Sequence, residues 1–399
     1  MTSFQPNELG RYYTRESVAA VLVASIDIRA PKTVVDLGAG DGTLISHAAM
    51  RWSNARFITA DIDKSAGSRC LAQIHGNAYS HYSGDALDES ISEKLGVPPG
   101  SACVAICNPP YVRAGWKDHF RKLLDEVGLS EVLPKAQDLP VDVLFVAQNL
   151  RLLKVGGKLG LILPDGLIAG ERFASFRRGL IAQHAISQVI ELPRNIFKRT
   201  EAKAHILVLS RSVTQADDIA VRRFDELGEL SEPFFVPPER AAERLDYSFY
   251  SMPTKVRSRP AHRLGDLIDS VVRGSFSSKT RAKQLFPVLH TTDLLASSTV
   301  APPKFLVSKQ YSTGNAVVAH TDDILMGRVG RNLCSKICQV TSGSVVPSDC
   351  LLVIRPLPGQ GDKLFQMLTS ARGRRAIDAA THGVGAKFIT VKGLLDLRI

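Results

Sequence analysis

The stretch TVVDLGAGDGTLISHAAMRW (residues 33–52) decides the fold class. Its apolar beginning predicts a buried strand over 33–38, and its last ten residues predict a helix. Between them, Gly38, Gly40 and Gly42 predict a sharp turn whose backbone can approach a ligand closely. A strand, a glycine turn and a helix in this order are typical of a β-α-β unit in a parallel sheet.

The alternation of strand and helix patterns continues to residue 210. Further strands are predicted at 55–61, 79–85, 101–108, 158–164, 186–192 and 204–210, and further helices at 64–74, 141–153 and 173–184. This pattern predicts an α/β fold with a doubly wound, mostly parallel sheet. Because the last two strands lie close together in the chain, we expect them to form an antiparallel pair.

The alternation ends after residue 210. A proline-rich segment between about 211 and 255 is typical of a connector with little regular structure. Beyond it, short apolar runs such as FPVLHT, DILMGRVG and CLLVIRP are separated by turn residues, and a helix is predicted near 362–380. We therefore predict a second, mixed β-rich domain.

The composition of the 399 residues describes a globular protein with more than one core. Hydrophobic residues make up 44% and charged residues 22% of the chain. No apolar run reaches the roughly 18 residues that a membrane span needs, and the polar N-terminus lacks the apolar core of a signal peptide. The six cysteines form no C-x-x-C pair. We expect a cytoplasmic protein with reduced thiols and no metal site.

The net charge of +11 is concentrated in the last third of the chain. Residues 253–399 carry 21 Lys and Arg against nine Asp and no Glu, so the rest of the chain is close to neutral. Such a separation of charge is typical of a polyanion-binding module beside a neutral domain. It predicts a nucleic-acid partner for the C-terminal third.

Acidic side chains follow three successive predicted strands. Asp36 ends the first strand, Asp61 the second and Asp85 the third. The carboxyl ends of parallel strands meet at one edge of a sheet, where ligands bind. A carboxylate about twenty residues after a glycine turn can accept hydrogen bonds from ribose hydroxyls, and the next one can accept from an adenine amino group. The three acids predict a nucleoside site.

The stretch ICNPPYVRAG (residues 106–115) predicts a rigid corner after the next strand. Pro109 and Pro110 fix φ and remove two backbone donors, so Asn108 can neither extend the strand nor start a helix. The corner holds an amide and the ring of Tyr111 at the ligand-binding edge. We interpret both side chains as parts of a site.

Together these motifs resemble the class I, S-adenosylmethionine-dependent N6-adenine DNA methyltransferases of the γ group, in which target recognition follows the catalytic domain. GRYYTRESVAAVLV resembles their N-terminal cofactor motif, although Arg15 stands where they usually have proline. DLGAGDG resembles the loop for the methionine moiety, and NPPY is their catalytic motif. ELPRNIFKRTEAKAHILVL resembles the segment whose phenylalanine, here Phe197, packs against an extruded adenine.

The resemblance implies a seven-stranded Rossmann-like catalytic domain over 1–225, a linker over 226–255 and a DNA target-recognition domain over 256–399. It implies S-adenosylmethionine as cofactor and double-stranded DNA as substrate. The catalytic residues that it implies are Asn108, Pro109, Pro110, Tyr111 and Phe197. The cofactor-binding residues that it implies are Tyr13, Thr14, Asp36, Gly38, Gly40, Asp61, Ile62, Asp85, Ala86 and Asn108.

The C-terminal third has a resemblance of its own. The segments LGDLIDSVVRGSFSSK and ATHGVGAKFITVKGLLDLRI look like one target-recognition domain of type I restriction specificity subunits, which read DNA through the major groove. Arg328, Arg331 and Lys387 are candidate DNA contacts, because arginine pairs well with guanine edges and lysine with phosphates.

Three alternatives remain open from the sequence. An RNA methyltransferase is one, since charge does not separate RNA from DNA. A protein-glutamine methyltransferase also carries N-P-P-Y on this fold, although that class lacks a basic domain after the catalytic one. A catalytically inactive DNA-specificity protein is the third. A restriction or defence-system partner, the recognition sequence and the oligomeric state are open as well.

Overall fold

The computed structural model describes residues 14–74, 78–112, 115–130, 140–194, 196–197, 203–251, 263–294, 300–307, 314–330, 332–381 and 387–397. The chain divides into two compact units, residues 1–251 and 252–399. Within the described ranges, no helix combines the length and the apolar character that crossing a membrane would need.

A nine-stranded sheet forms the centre of the first unit as far as the structure describes it. Its strands are β1 (Thr33–Leu37), β2 (Arg56–Asp61), β3 (Tyr79–Ser83), β4 (Ala102–Cys107), β5 (Leu153–Pro164), β6 (Ala185–Glu191), β7 (Ala204–Ser210), β8 (Ile219–Arg223) and β9 (Phe234–Val236). Their order is β3-β2-β1-β4-β5-β7-β6-β8-β9. β1 to β5 run parallel, and β7 runs antiparallel to β5 and β6. The predicted doubly wound, mostly parallel sheet with an antiparallel last pair is confirmed.

The sheet is two strands wider than predicted. β8 pairs in parallel with β6, and β9 pairs with β8, although both strands lie in the proline-rich segment predicted to be irregular. Pro233 and Pro237 flank β9. Proline is compatible with an edge strand, which needs ladder hydrogen bonds on one side only. The segment up to residue 251 therefore belongs to the first unit and carries regular structure.

Helices cover both faces of this sheet. They are α1 (Glu16–Ala24), α2 (Thr43–Arg51), α3 (Ala66–Gln73), α4 (Ile91–Leu95), α5 (His119–Glu126), α6 (Val141–Leu152), α7 (Asp165–Ala169), α8 (Ala174–Gln183), α9 (Pro238–Ala241) and α10 (Tyr247–Tyr250). Apolar residues of α1, α2 and α3 share one core, and those of α4 to α9 share the other. Because both faces are buried, the central strands are apolar at nearly every position.

The second unit is rich in short strands, as predicted. Its strands are β10 (Ile268–Arg273), β11 (Val288–Leu289), β12 (Ala319–His320), β13 (Ile324–Gly327), β14 (Val329–Gly330), β15 (Ile337–Gln339), β16 (Ser344–Pro347), β17 (Leu351–Pro356) and β18 (Lys387–Phe388), and its helices are α11 (Gly361–Thr369), α12 (Ala371–Ala380) and α13 (Val391–Leu395). They form a four-stranded sheet β10-β17-β13-β15, a three-stranded sheet β11-β16-β12 and the pair β14-β18.

The single helix predicted near 362–380 is two helices. Ser370 separates α11 from α12 with an extended ψ of 158°, and its side chain accepts from the Gly373 N–H. The hydroxyl thus caps the second helix, which is a common role of serine at a helix N-terminus. A Cβ at Gly373 would lie 2.0 Å from the Met367 carbonyl oxygen, so glycine permits the close turn between the two helices.

A buried arginine holds the segment after α9 against helices α7 and α8. Arg177 on α8 donates to the carbonyl oxygens of Leu167 and Gly170, each at 2.9 Å, of Ala242 at 3.1 Å, and of Glu243. Burial lowers the pKa of Arg177 to about 10, which leaves the guanidinium charged at neutral pH. Its rigid fork of donors satisfies carbonyls from two chain segments that are far apart in sequence.

We predict that Arg177→Met destabilises the protein, because four carbonyls, three of them in buried contacts, lose a charged donor. The expected loss is about 2–4 kcal/mol of unfolding free energy, measured by urea denaturation. Arg178→Met is the control, since Arg178 is exposed and donates only to Ser175 within the same helix. Equal stability of the two variants would contradict this role.

Candidate functional site

The glycine turn after β1 has the backbone that the sequence predicts. Gly38, Gly40 and Gly42 have φ values of +79°, +59° and +87°, a region that residues with a Cβ rarely adopt. The Gly38 N–H donates to the Ala60 carbonyl oxygen at 2.7 Å. We call residues 38–42 the glycine loop. It lies at the carboxyl edge of the sheet and leads directly into α2.

Asp61 at the end of β2 faces the glycine loop and is hydrogen-bonded to it. One carboxylate oxygen accepts from the Gly40 N–H at 2.8 Å, and the other accepts from the Asp63 N–H at 2.7 Å. Each carboxylate oxygen has two lone pairs and can accept more than one hydrogen bond. The acid predicted to bind ribose therefore also fixes the loop that would lie beside it.

Arg69 on α3 is a support that the sequence did not reveal. Its guanidinium donates to the Gly40 carbonyl oxygen at 2.8 and 3.1 Å and to Asp63 at 3.0 Å. Gln73 on the same helix donates to the Asp41 carbonyl oxygen at 2.6 Å. These contacts bring α3 against the glycine loop. They depend on the packing of a helix against a loop more than twenty residues earlier, which no local pattern predicts.

Asp36 is fully buried at the carboxyl end of β1. In the part of the chain that the structure describes, neither oxygen of its side chain has a hydrogen-bond partner. Burial raises the pKa of Asp36 well above its ordinary value, and the nearby carboxylates of Asp61 and Asp41 raise it further. An unpaired buried carboxyl group is costly, and a ligand that donates hydrogen bonds or carries positive charge would relieve it.

The remaining predicted cofactor residues lie around the same edge. Asp85 is half-exposed, accepts from the Leu87 N–H at 2.9 Å and pairs with Lys117 at 3.3 Å. Ala86 is buried and Ile62 is 58% exposed. Tyr13 lies outside the described residues. The assignment of these side chains to a cofactor stays a prediction.

The predicted catalytic corner follows β4 directly. The strand ends at Cys107, and Asn108 donates from Nδ2 to Thr14 Oγ1 at 3.1 Å. The Tyr111 hydroxyl lies 3.4 Å from Asn108 Oδ1 and 3.2 Å from the Ile162 carbonyl oxygen, to either of which it can donate. The amide is thereby held on both sides, by Thr14 at its nitrogen and by Tyr111 at its oxygen.

Phe197 packs beside this corner. Its ring centroid lies 6.5 Å from that of Tyr111 in an edge-to-face arrangement with an interplanar angle of 84°. Phe197 is 1% exposed, so it forms part of the packed surroundings of the tyrosine. The structure brings Asn108, Tyr111 and Phe197 together from distant parts of the sequence, while their catalytic roles stay predictions.

A buried group of charges lies at the ends of the neighbouring strands. Lys203, just before β7, lies 3.1 Å from Glu191, 3.6 Å from Asp165 and 3.8 Å from Asp246. His205 lies 3.0 Å from Asp165. Burial lowers the pKa of Lys203, but the three carboxylates outweigh it and the net shift is upward. We call these five residues the lysine cluster.

The lysine cluster anchors two chain segments at the carboxyl edge. Glu191 ends β6 and Lys203 precedes β7, so their ion pair joins the two ends of the segment that contains Phe197. Asp246 also pairs with Arg244 at 2.7 Å. Breaking such a buried pair by removing one partner is strongly destabilising. One clue to this cluster is visible in the sequence: a lysine stands directly before a largely apolar strand.

The predicted DNA contacts lie in the second unit. The backbone carbonyl of Arg328 accepts from the Ile389 N–H at 3.0 Å, and Lys387 pairs with Gly330 across strands β18 and β14. Arg328 is partly exposed, whereas Lys387 is 9% exposed and its ammonium lies 3.5 Å from Asp378. Arg331 lies outside the described residues. Two of the predicted contacts are thus neighbours, but the lysine is largely enclosed.

The sequence and the fold are similar to those of known proteins. A family model described as N-6 DNA methylase matches residues 1–226. The chain is 24% identical over 227 residues to the type I restriction enzyme MpnII methylase subunit of Mycoplasma pneumoniae, covering 53% of this chain and 42% of that protein. It is 26% identical over 121 residues to a putative type II restriction enzyme and methyltransferase of Methanocaldococcus jannaschii, covering 30% of this chain and 9% of that protein.

Among solved structures, that of the type IIG restriction endonuclease BpuSI matches 98% of this chain and 59% of that chain, with a TM-score of 0.52 and 14% identity. At this identity the match shows a likeness of fold. The chain spans less than half the length of the two curated relatives above.

We predict that Asp36→Asn stabilises the cofactor-free protein at high pH. Because the folded-state pKa of Asp36 lies above its ordinary value of 3.8, the folded state holds this proton more tightly than the unfolded state. Stability is therefore lost as the pH rises from about 4 through the folded-state pKa, by about 1.4 kcal/mol for each pKa unit of difference. Asparagine does not ionise and avoids this loss.

Urea denaturation between about pH 4 and pH 8 measures the difference. The advantage of Asp36→Asn should grow as the pH rises. Asp125→Asn, at an exposed position of α5, is the control and should show no such growth. An Asp36→Asn protein that is less stable than wild type at every pH would contradict the prediction.

Proposed function

The chain belongs to the N-6 DNA methylase family, and on this basis we propose that it is a site-specific DNA methyltransferase acting on adenine N6 with S-adenosylmethionine. The observation that carries the proposal is the meeting of the glycine loop, Asp61 and the Asn108 corner at the carboxyl edge of one parallel sheet. That edge is where ligands of open α/β sheets bind.

The side chains at this edge fit a cofactor with a nucleoside and an amino-acid part. Asp61 offers acceptors to ribose hydroxyls, and the glycine loop allows close approach of backbone. The carboxyl group of Asp36, which has no hydrogen-bond partner among the described residues, suits a ligand that carries positive charge. Bound S-adenosylmethionine supplies an electrophilic methyl group on a sulfonium.

We assign to Asn108 the activation of the adenine amine as a nucleophile. The lone pair of adenine N6 is delocalised into the ring, which makes the amine a poor nucleophile. When Asn108 Oδ1 and the Pro109 carbonyl oxygen accept its two hydrogens, the nitrogen moves toward tetrahedral geometry and the lone pair becomes available. This is positioning with electrostatic stabilisation and needs no covalent enzyme intermediate.

The target base must leave the duplex to reach this corner, because its N6 atom is inaccessible in stacked DNA. We assign the Tyr111 ring to stacking on the extruded adenine, while Phe197 supports that ring from its edge. Unstacking costs a few kcal/mol, and stacking on an aromatic side chain returns about 1–3 kcal/mol.

We assign DNA recognition to the second unit, residues 252–399. With 21 Lys and Arg against nine Asp, this unit carries a net charge of +12 and the rest of the chain −1. Its short strands and turns present many loops. One such unit would read one partial site in double-stranded DNA. Arg328 is the better exposed of the two described candidate contacts, and we propose a restriction or defence-system component as the protein partner.

We predict that Asn108→Ala lowers the single-turnover rate of methyl transfer by at least about a hundredfold, because it removes an acceptor used in the transition state. Cofactor and DNA should still bind, because the glycine loop, Asp61 and the basic second unit are unchanged. Single-turnover rates are needed because product release can hide the chemical step.

Tyr111→Phe is the companion variant and should keep much of the activity, since it retains the ring. The substrate is DNA from a methylation-free host, with modified adenines mapped by single-molecule sequencing. If calorimetry shows that the wild-type protein does not bind S-adenosylmethionine, the proposed function is wrong. If Asn108→Ala transfers methyl groups at nearly the wild-type rate, the corner is a rigid turn without a catalytic role.

We predict that a fragment of residues 1–251 folds and binds cofactor but has lost DNA binding. The division into two compact units supports independent folding, and removal of the basic unit takes away the phosphate contacts. For the full chain, DNA affinity should fall steeply with salt through counterion release. Fluorescence anisotropy at several salt concentrations measures this, with calorimetric cofactor binding as the control for folding. Site-specific methylation by the fragment would place recognition elsewhere.

A further inference from the structure

The catalytic amide is held by a residue from the beginning of the chain. Asn108 Nδ2 donates to Thr14 Oγ1 at 3.1 Å across a sequence separation of 94 residues. The Tyr111 hydroxyl lies on the other side, 3.4 Å from Oδ1. A hydroxyl can donate or accept. Thr14 accepts from Nδ2 here, and a Tyr111 hydroxyl that donates to Oδ1 fits the same orientation of the amide.

The packing of α1 explains why Thr14 reaches this point. A Cβ at Gly160 of β5 would lie 2.9 Å from Leu22 Cδ2 and 2.8 Å from Ile26 Cδ1 of the α1 segment, so the helix lies directly on the strand. Gly160 pairs with Ile106 of β4, two residues before Asn108. The approach of α1 to β5 therefore sets the position of the chain just before the helix relative to the catalytic corner.

Orientation matters because the two ends of an asparagine amide have opposite hydrogen-bonding roles. Oδ1 accepts hydrogen bonds, whereas Nδ2 only donates. A flipped amide would turn N–H groups toward an amine that itself offers hydrogens, and the amine would not be activated. A carboxylate has no such requirement, because both of its oxygens accept.

We propose that Thr14 is a positioning residue for catalysis, which holds the Asn108 amide with Oδ1 toward the target amine. This inference rests on the proposed methyl transfer and adds to Thr14 a role that cofactor binding does not require. The Thr14 hydroxyl acts through Asn108 and does not contact the reacting nitrogen.

The test compares Thr14→Val, which has nearly the same shape without the hydroxyl, with Thr14→Ser, which keeps it. At saturating cofactor, Thr14→Val should slow single-turnover transfer about three- to tenfold, the population shift that one net hydrogen bond produces. Thr14→Ser should restore the rate. The affinity for S-adenosylhomocysteine, measured by calorimetry, sets the cofactor concentration that saturates each variant, so that a change in the saturated rate reports on the chemical step. Ser17→Ala, at an exposed position of α1, is the control for removal of a hydroxyl.

A second comparison uses Asn108→Asp, in which the amide is replaced by a symmetric carboxylate. In that background Thr14→Val should cause no further loss, because there is no amide to orient. The same loss in both backgrounds would overturn the proposal, as would a wild-type rate for Thr14→Val at saturating cofactor. If Thr14→Val weakens cofactor binding and leaves the saturated rate unchanged, Thr14 is a cofactor residue only. A wild-type protein without methylation activity would instead contradict the proposed function itself.

Discussion

The parallel register of β1 between β2 and β4 is the constraint on which the candidate site depends. It sets Asp36 opposite Thr59 on one side and Ile106 on the other. The glycine loop, Asp61 and Asn108 therefore leave the sheet at the same edge. A shift of one residue in either pairing would turn alternate side chains to the opposite face, and the three parts of the site would no longer meet.

The carboxyl edge contains two groups of buried charge that are balanced differently. The lysine cluster compensates its carboxylates internally, and Ser248 adds hydrogen bonds to Glu191. The carboxyl group of Asp36 has no such partner in the described part of the chain. Burying a carboxyl group without a hydrogen-bond partner costs stability, and proteins tolerate such a loss mainly at functional positions. We therefore interpret the cluster as structural support and Asp36 as part of the ligand site.

The sequence predicted those features that depend on local pattern. Apolar runs gave the strands of the parallel sheet, and the paired prolines gave the corner at Asn108. It could not predict contacts set by tertiary packing, such as Arg177 reaching carbonyls more than sixty residues away or Thr14 reaching Asn108. The sequence pattern also predicted one continuous helix near 362–380, because the apolar periodicity does not show that Ser370 divides it into two.

Charge balance explains how an acidic site can act on a polyanion. Asp61, Asp85 and Asp165 all lie at the carboxyl edge, to which we assign the DNA substrate, and their negative charges would repel phosphates. Asp61 accepts backbone hydrogen bonds, Asp85 pairs with Lys117, and Asp165 belongs to the lysine cluster. Asn108, to which we assign activation of the amine, is neutral and adds no repulsion. The first unit carries 29 Lys and Arg against 30 Asp and Glu, a net charge of −1. We therefore propose that the attraction for DNA comes from the basic second unit and the chemistry from the first.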